Sequence, residues 1–319
     1  MTDVAELLGS LRVPVVGAPM AGAAGGRLAA AITAAGGLGM VGVGNVATVE
    51  QITPELEIAC AGGVFGVGLM CWSLPDNPAL LDVTLAHAPS VISLSFGDPR
   101  PYLDRVHDAG IAVVAQVGTR AEAVDVVDAG VDAVVVRGDE GGGHGRGVVA
   151  TLPLLQQILD ITDKPVLAAG GIATARGLAA VLAAGASGAW VGTPFAASEE
   201  SLFKDSAKQA VIAADTDQTV YTRAFDVAQR FNWPTIYGGR ALANDFTSQW
   251  VDRVSELEAD VPDELTAAMK EARAQGNTAM APVYAGESAG LVTQMRTAGE
   301  VIESFAGFRE HLRAAQRWL

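Results

Sequence analysis

The stretch IAVVAQVGTRAEAVDVVDAGVDAVVV, residues 111–136, decides the fold. It opens with a continuous apolar run, Ile111–Val117, too short for a helix and rich in β-branched residues. A polar turn follows, then Ala121–Ala129, whose apolar positions recur at helical spacing. Gly130 stands where a helix C-cap needs left-handed geometry. A second apolar run, Ala133–Val136, closes the unit. Strand, helix and strand in so short a span describe a βαβ crossover, and apolar runs without alternation describe a parallel sheet covered on both faces.

The same rhythm runs outward in both directions. Candidate strands are Val13–Ala18, Leu38–Val43, Phe65–Met70, Val91–Ser95, Ile111–Val117, Ala133–Val136, Pro165–Ala169 and Ala189–Val191. Helix-like stretches such as Arg27–Ala35 and Ala173–Ala184 lie between them. Several end in Ala-Gly before the next strand, at Gly36, Gly110, Gly130 and Gly185. Eight such units predict an α/β fold, a closed (β/α)8 TIM-type barrel. The rhythm breaks after about Phe195. Residues 201–280 read as a helix-rich insertion or cap bearing tryptophans. Ala281–Leu291 reads as a Pro/Gly-rich return to the barrel mouth, followed by one terminal helix to Leu319. The division expected is therefore a barrel of 1–200 and 281–319 with an insertion of 201–280.

Composition narrows the function. With 21 Lys and Arg against 36 Asp and Glu, the net charge is −15. That disfavours a nucleic-acid backbone or an anionic membrane surface as partner. No apolar run is long enough to span a membrane, and the N-terminus lacks a secretory pattern. The two cysteines, Cys60 and Cys71, form no CxxC pair, so no metal site or disulfide framework is indicated. A cytoplasmic enzyme, monomer or homodimer, is the expectation. Glycine is abundant, 37 residues in 319, which points to tight turns and close approach of backbone to ligand. The GxGxxG at Gly37, Gly39 and Gly42 begins and runs through a strand, so close helix–strand packing explains it better than a dinucleotide fingerprint.

Chemistry gathers at the expected C-terminal ends of the strands. Gly170 and Gly171 follow the seventh strand, and Gly192 and Thr193 follow the eighth, the place where such barrels commonly bind phosphate. The loop after the sixth strand, Arg137 to Gly147, is too glycine-dense for a helix or a stable strand and carries His144. Histidine titrates nearest neutral pH and suits proton abstraction or anion recognition. His87, His107 and His311 read as surface residues. Met20 fits a core plug and a planar ring equally well. Gln116 ends the fifth strand, where hydrogen bonding to a ring edge is plausible.

Together, APMAG (18–22), EGGGH (140–144), AAGGIA (168–173), GTPFAASEES (192–201), TRAFD (222–226), GRALANDF (239–246) and YAGESAGL (284–291) resemble the nitronate monooxygenase family, formerly the 2-nitropropane dioxygenases. The resemblance covers nearly the whole chain. It implies FMN at the barrel mouth, with Gly170, Gly171, Gly192 and Thr193 at its phosphate. Ala18, Pro19 and Met20 would lie along the ring, with Gln116 at its polar edge. Gly138 would start the catalytic loop, and Gly286 and Ser288 would close the site. His144 matches the catalytic histidine. The implied reaction is oxidation of alkyl nitronates, and of nitroalkanes after deprotonation by His144, with O2. The competing reading is an NAD(P)H-dependent flavin reductase of quinones or enoyl thioesters. A flavin-binding module without activity ranks below both, as does an inosinate-type dehydrogenase using Cys71. Two departures stand out. Gly68 replaces a usual Asn, and Arg137 replaces a usual Gln. Arg137 would favour anions if it entered the pocket; the alternative has it pointing outward.

Overall fold

Alternation along each strand sends side chains two ways, and the computed structural model, which describes residues 2–318, shows where each set goes. The strands are β1 (Val15–Gly17), β2 (Gly39–Gly42), β3 (Phe65–Met70), β4 (Val91–Ser95), β5 (Ala112–Val117), β6 (Ala133–Arg137), β7 (Gly143–Gly145), β8 (Val166–Ala169), β9 (Gly188–Val191), β10 (Thr219–Thr222) and β11 (Gly238–Leu242). All but β7, β10 and β11 form one parallel sheet in the order β1-β9-β8-β6-β5-β4-β3-β2. The Gly17 N–H donates to the Leu38 carbonyl at 2.9 Å and Val16 bridges Leu38, which brings β1 back to β2 and closes the barrel. All eight strands read from the sequence are found, with ends within about two residues of those expected.

Outward residues such as Val113, Val134 and Val136 join Leu28, Ile32, Leu154 and Leu178 of the covering helices in the larger core. Inward residues, including Val16, Met40, Val114, Val135, Leu167 and Trp190, fill the barrel. Val4 and Leu8 of the helix Val4–Ser10 join this inner cluster. At the C-terminal ends the same inward positions turn polar or vanish: Gly68, Ser93, Ser95, Gln116, Arg137 and Gly192. Gly36, Gly110, Gly130 and Gly185 all have positive φ, between 77° and 109°, as helix endings require. At Gly39 an added Cβ would strike the Ala29 backbone, so that glycine serves close packing of a helix on β2.

Three expectations need correction. The glycine-dense loop does contain a strand: β7 pairs antiparallel with β11, His144 opposite Gly239, and β11 pairs in turn with β10. Three residues make too short a strand to read locally, and a distant partner stabilises it. The segment expected to be helical holds β10 and β11 beside its helices. The run Thr219–Thr222, TVYT, carries strand propensity; Gly238–Leu242 carries little. The single terminal helix is two, Ala298–Phe305 and Phe308–Ala315. Val301, Ile302, Phe305 and Phe308 seat them on the barrel's outer core. Leu319 lies outside the described residues. A separate small core of Phe225, Phe246, Leu257 and Met269 sits beneath the later helices. Among the described residues, no helix is long and apolar enough to cross a membrane.

Candidate active site

Inward residues at the C-terminal ends of the barrel strands open into a cavity of about 250 Å3. Ala18, Pro19, Met20, Gln116, His144, Gly170, Gly171, Gly192, Thr193 and Ser288 all line it, so ten of the twelve residues singled out from the sequence meet there. Gly138 and Gly286 do not. Gly138 packs against Thr151 and donates its N–H to the Ala169 carbonyl at 2.9 Å, one layer behind. Gly286 packs on the Glu140–Gly142 backbone and donates its N–H to Thr193 Oγ1 at 3.0 Å, which pins the return segment to the last barrel turn.

One end of the cavity is walled by backbone. Gly170 and Gly171 adopt φ of 109° and 72°, the left-handed region that favours glycine. Among the described residues, the N–H groups of Gly171, Ile172 and Gly192 find no backbone acceptor. A Cβ on Gly192 would sit 3.4 Å from Met20 Sδ and 3.8 Å from Ala18 Cβ, so the strand ends of β9 and β1 meet there. Met20 both lines the cavity and packs on the outer core. The missing Asn at position 68 has a steric explanation. Pro19 fills the space that a side chain there would take, and Asn45 brings an amide to the same cavity instead.

The histidine loop is wrapped around Arg137. This side chain points inward and is 4% exposed. Its Nη2 donates to the carbonyls of Gly141, Gly142 and Gly143 at 2.5, 3.2 and 2.7 Å. Its Nη1 has no partner among the described residues. A Cβ on Gly145 would collide with the guanidinium, so glycine is required where the loop crosses it. Burial pushes the Arg137 pKa down, to about 10, which leaves it cationic at neutral pH.

His144 is held from three sides. Its backbone lies in the β7–β11 ladder, and the Tyr221 hydroxyl donates to the neighbouring Gly145 carbonyl at 2.8 Å. Its Nε2 stands 2.9 and 3.0 Å from the two carboxylate oxygens of Asp226, a side chain only 5% exposed on the helix Ala224–Ala228. Its ring stacks on Trp233 with centroids 3.7 Å apart and planes within 3°. Trp233 in turn meets Trp72 at 5.2 Å and the edge of Phe96 at 5.1 Å. Phe96 holds a left-handed φ of 61°, a costly conformation for an aromatic residue and a mark of a constrained site. Tyr284 lies 5.3 Å from His144. Burial, and then the Asp226 charge, push its hydroxyl well above the usual phenol range, so it stays a neutral donor.

Asp226, Trp233 and Tyr284 were not assigned roles from the sequence. The one available cue was an acid set among apolar neighbours in Ala224–Ala228. His87 and His107 make local contacts, to the Val83 carbonyl and Asp132, and neither they nor the exposed His311 lines the cavity. Cys71 is buried; desolvation, then Asp98, raises its pKa to about 12. It is no thiolate nucleophile at neutral pH.

A family model described as nitronate monooxygenase matches residues 75–307. The chain is 37% identical to the (3aS,4S,5R,7aS)-5-hydroxy-7a-methyl-1-oxo-octahydro-1H-indene-4-carboxyl-CoA dehydrogenase of Rhodococcus jostii, over 70% of this chain but only 63% of that enzyme. It is 28% identical to a "Probable nitronate monooxygenase" of Staphylococcus aureus, over 89% of this chain and 91% of the relative. Among solved structures, FabK from Thermotoga maritima superposes with a TM-score of 0.85 at 28% identity, covering 100% of this chain and 99% of that one. The nitroalkane oxidase from Streptomyces ansochromogenes gives 0.80 at 28% identity, covering 97% and 99%.

Proposed function

The chain belongs to the nitronate monooxygenase family and is an oxidoreductase, and from that premise we propose that it binds FMN and oxidises alkyl nitronates with O2. Nitroalkanes enter the same reaction once deprotonated. The observation that carries this reading is the His144–Asp226 pair, its carboxylate buried, set in the same cavity as backbone N–H groups that find no backbone acceptor among the described residues.

The residues present fit the cofactor. Gly170, Gly171, Gly192 and Thr193 would offer their N–H groups to a phosphate, three of the four carrying no side chain of their own. Ala18, Pro19 and Met20 offer an apolar edge to a flat ring. Gln116 offers its amide to a polar rim, and Ser288 closes the far side. Gly138 and Gly286 act from behind, by letting the loop and the return segment pack closely. When bound, FMN supplies the electron transfer between the organic anion and O2.

The protein's own part is proton handling and charge. The Asp226 carboxylate accepts a hydrogen bond from His144 Nε2–H, which fixes that tautomer and leaves Nδ1 with a lone pair. Nδ1 is then the atom that takes the α-proton of a nitroalkane. The resulting imidazolium is stabilised by Asp226 and faces the nitronate it has just made. A substrate supplied as nitronate needs no proton transfer, only the favourable field. Trp233 covers one face of the imidazole and keeps water from it.

A second reading is favoured by the FabK likeness across the full chain. In this reading NAD(P)H is the reductant, and a quinone or an enoyl thioester is the acceptor. Anaerobic absorbance separates the two. Prompt bleaching of bound flavin by nitronate alone supports the monooxygenase reading. Bleaching by NADH or NADPH, with none by nitronate, replaces it with the reductase. A purified protein that holds and takes up no flavin overturns both.

A further inference from the structure

Arg137 is left without a task by the chemistry above, and its surroundings are unusual. Buried cations in proteins are normally paired. Arg240, 8% exposed, obeys the rule, with Asp139 at 2.9 Å and Glu287 at 3.3 Å. Arg137 is more deeply buried and has no carboxylate within ion-pair distance among the described residues. The nearby acids are engaged elsewhere: Asp139 by Arg240, and Glu140 by the Thr151 N–H and hydroxyl at 2.9 and 2.8 Å. The three carbonyls that Arg137 reaches all sit on Nη2, and Nη1 has no acceptor. The side chain lines the same cavity as His144 and the glycine cradle.

We propose that Arg137 supplies, from within the cavity wall, the positive charge that an anion arriving with the ligand answers, so that the site selects and stabilises a negative charge in the cavity. The proposal rests on the functional reading above for its two candidate sources. One is the flavin ring, which becomes anionic on reduction. The other is a planar organic anion such as a nitronate.

Two probes distinguish the sources. Sulfite adds through sulfur to the oxidised flavin ring, and its electron pair leaves the ring negatively charged. In FMN-loaded protein, Arg137→Gln is expected to weaken sulfite binding at least tenfold. The same loss makes the two-electron midpoint potential about 30 mV more negative. Isobutyrate, an inert planar anion, and isobutyramide, its neutral counterpart, probe the substrate side through the melting temperature of the protein as purified. Isobutyrate is expected to stabilise the wild type more than isobutyramide, and Arg137→Gln is expected to abolish the difference. A sulfite effect assigns the anion to the cofactor, and a carboxylate effect alone assigns it to the substrate. No change in either arm overturns the proposal. Arg137→Lys keeps the charge and is expected to keep most of both effects. A loss in Arg137→Lys equal to that in Arg137→Gln would attribute the effect to loop geometry and overturn it as well. Should Arg137→Gln fail to fold, the wild type decides: equal stabilisation by acid and amide, with no sulfite binding, overturns it. The isobutyrate arm needs no flavin, so a protein that takes up no FMN loses the functional reading while the Arg137 test still runs.

Discussion

From β1 to β9 the cavity wall includes a run of positions with little or no side chain, Ala18, Gly68, Ala169, Gly170, Gly171 and Gly192; beyond Ser198 every lining residue carries a side chain, Phe203, Asp226, Phe231, Trp233, Arg273, Tyr284 and Ser288. The barrel half offers backbone N–H groups held in place by the closed sheet. The later half offers rings, a carboxylate and the Arg273 guanidinium; Tyr284 and the helix that carries Asp226 pack on a small core of their own, and Trp233 packs on Trp72 and Phe96. His144 belongs to both, since it leaves the barrel after β6 and then pairs with β11. The difference teaches a division of labour. The barrel fixes where a ligand sits, and the later half determines how reactive His144 is toward it. Substitutions should separate along that line.

The largest expected effect lies at the joint. His144→Ala should lower turnover about 10²- to 10⁴-fold and leave flavin content unchanged, because no His144 contact reaches the glycine cradle. Steady-state rates beside flavin absorbance check this; joint loss of flavin and activity would break the division. Asp226→Asn comes next. It keeps the shape but removes the charge that steadies protonated His144. With a nitroalkane the turnover number should fall about 10²-fold with little change in KM. With preformed nitronate the fall should be smaller, since no proton has to be taken. Equal losses on both substrates would make Asp226 a purely structural support.

How much of this was legible follows the same line. The eight strands and their capping glycines were readable because each signal lies within one βα unit: a run such as Val91–Ser95, a Gly130 after Ala129. The cradle was readable because its glycines follow two of those strands. Even the direction of Arg137 was available. Ala133 and Val135 face the barrel interior, and period-two alternation carries Arg137 the same way. The later half was not readable, because its meaning lies in contacts between distant residues. Asp226 meets His144 across 82 positions. β7 exists only because Gly238–Arg240 lies beside it. Neither leaves a local periodicity.

Gly145→Ala tests the joint by shape alone. The new methyl would overlap the Arg137 guanidinium, whose other side is held by three loop carbonyls. Overpacking of this kind costs about 1–3 kcal/mol, to be read as a lower denaturation midpoint with an unchanged slope. Activity should fall by more than stability implies, since Gly145 is next to His144. Unaltered stability would mean that Arg137 can move away, and would weaken the case that it is fixed in the cavity.

The smallest expected effect belongs to the roof. Trp233 stacks face to face on His144, and its own position is set by Trp72 and by Phe96. Trp233→Phe retains a ring over the imidazole and should cost about 0.5–1.5 kcal/mol of local packing, a few-fold in kcat/KM. Trp233→Ala uncovers one face of His144 to water and should cost more, with KM rising more than kcat falls if the ring also serves as an apolar surface for substrate. The sharper reading comes from substrate size. If Trp233 bounds the cavity, Trp233→Ala should narrow the rate difference between short and bulky nitronates. If it only positions His144, both classes should slow by the same factor. The first outcome makes the later half of the chain the seat of selectivity as well as of reactivity; the second leaves selectivity with the barrel, where Arg137 and the glycine cradle would have to supply it.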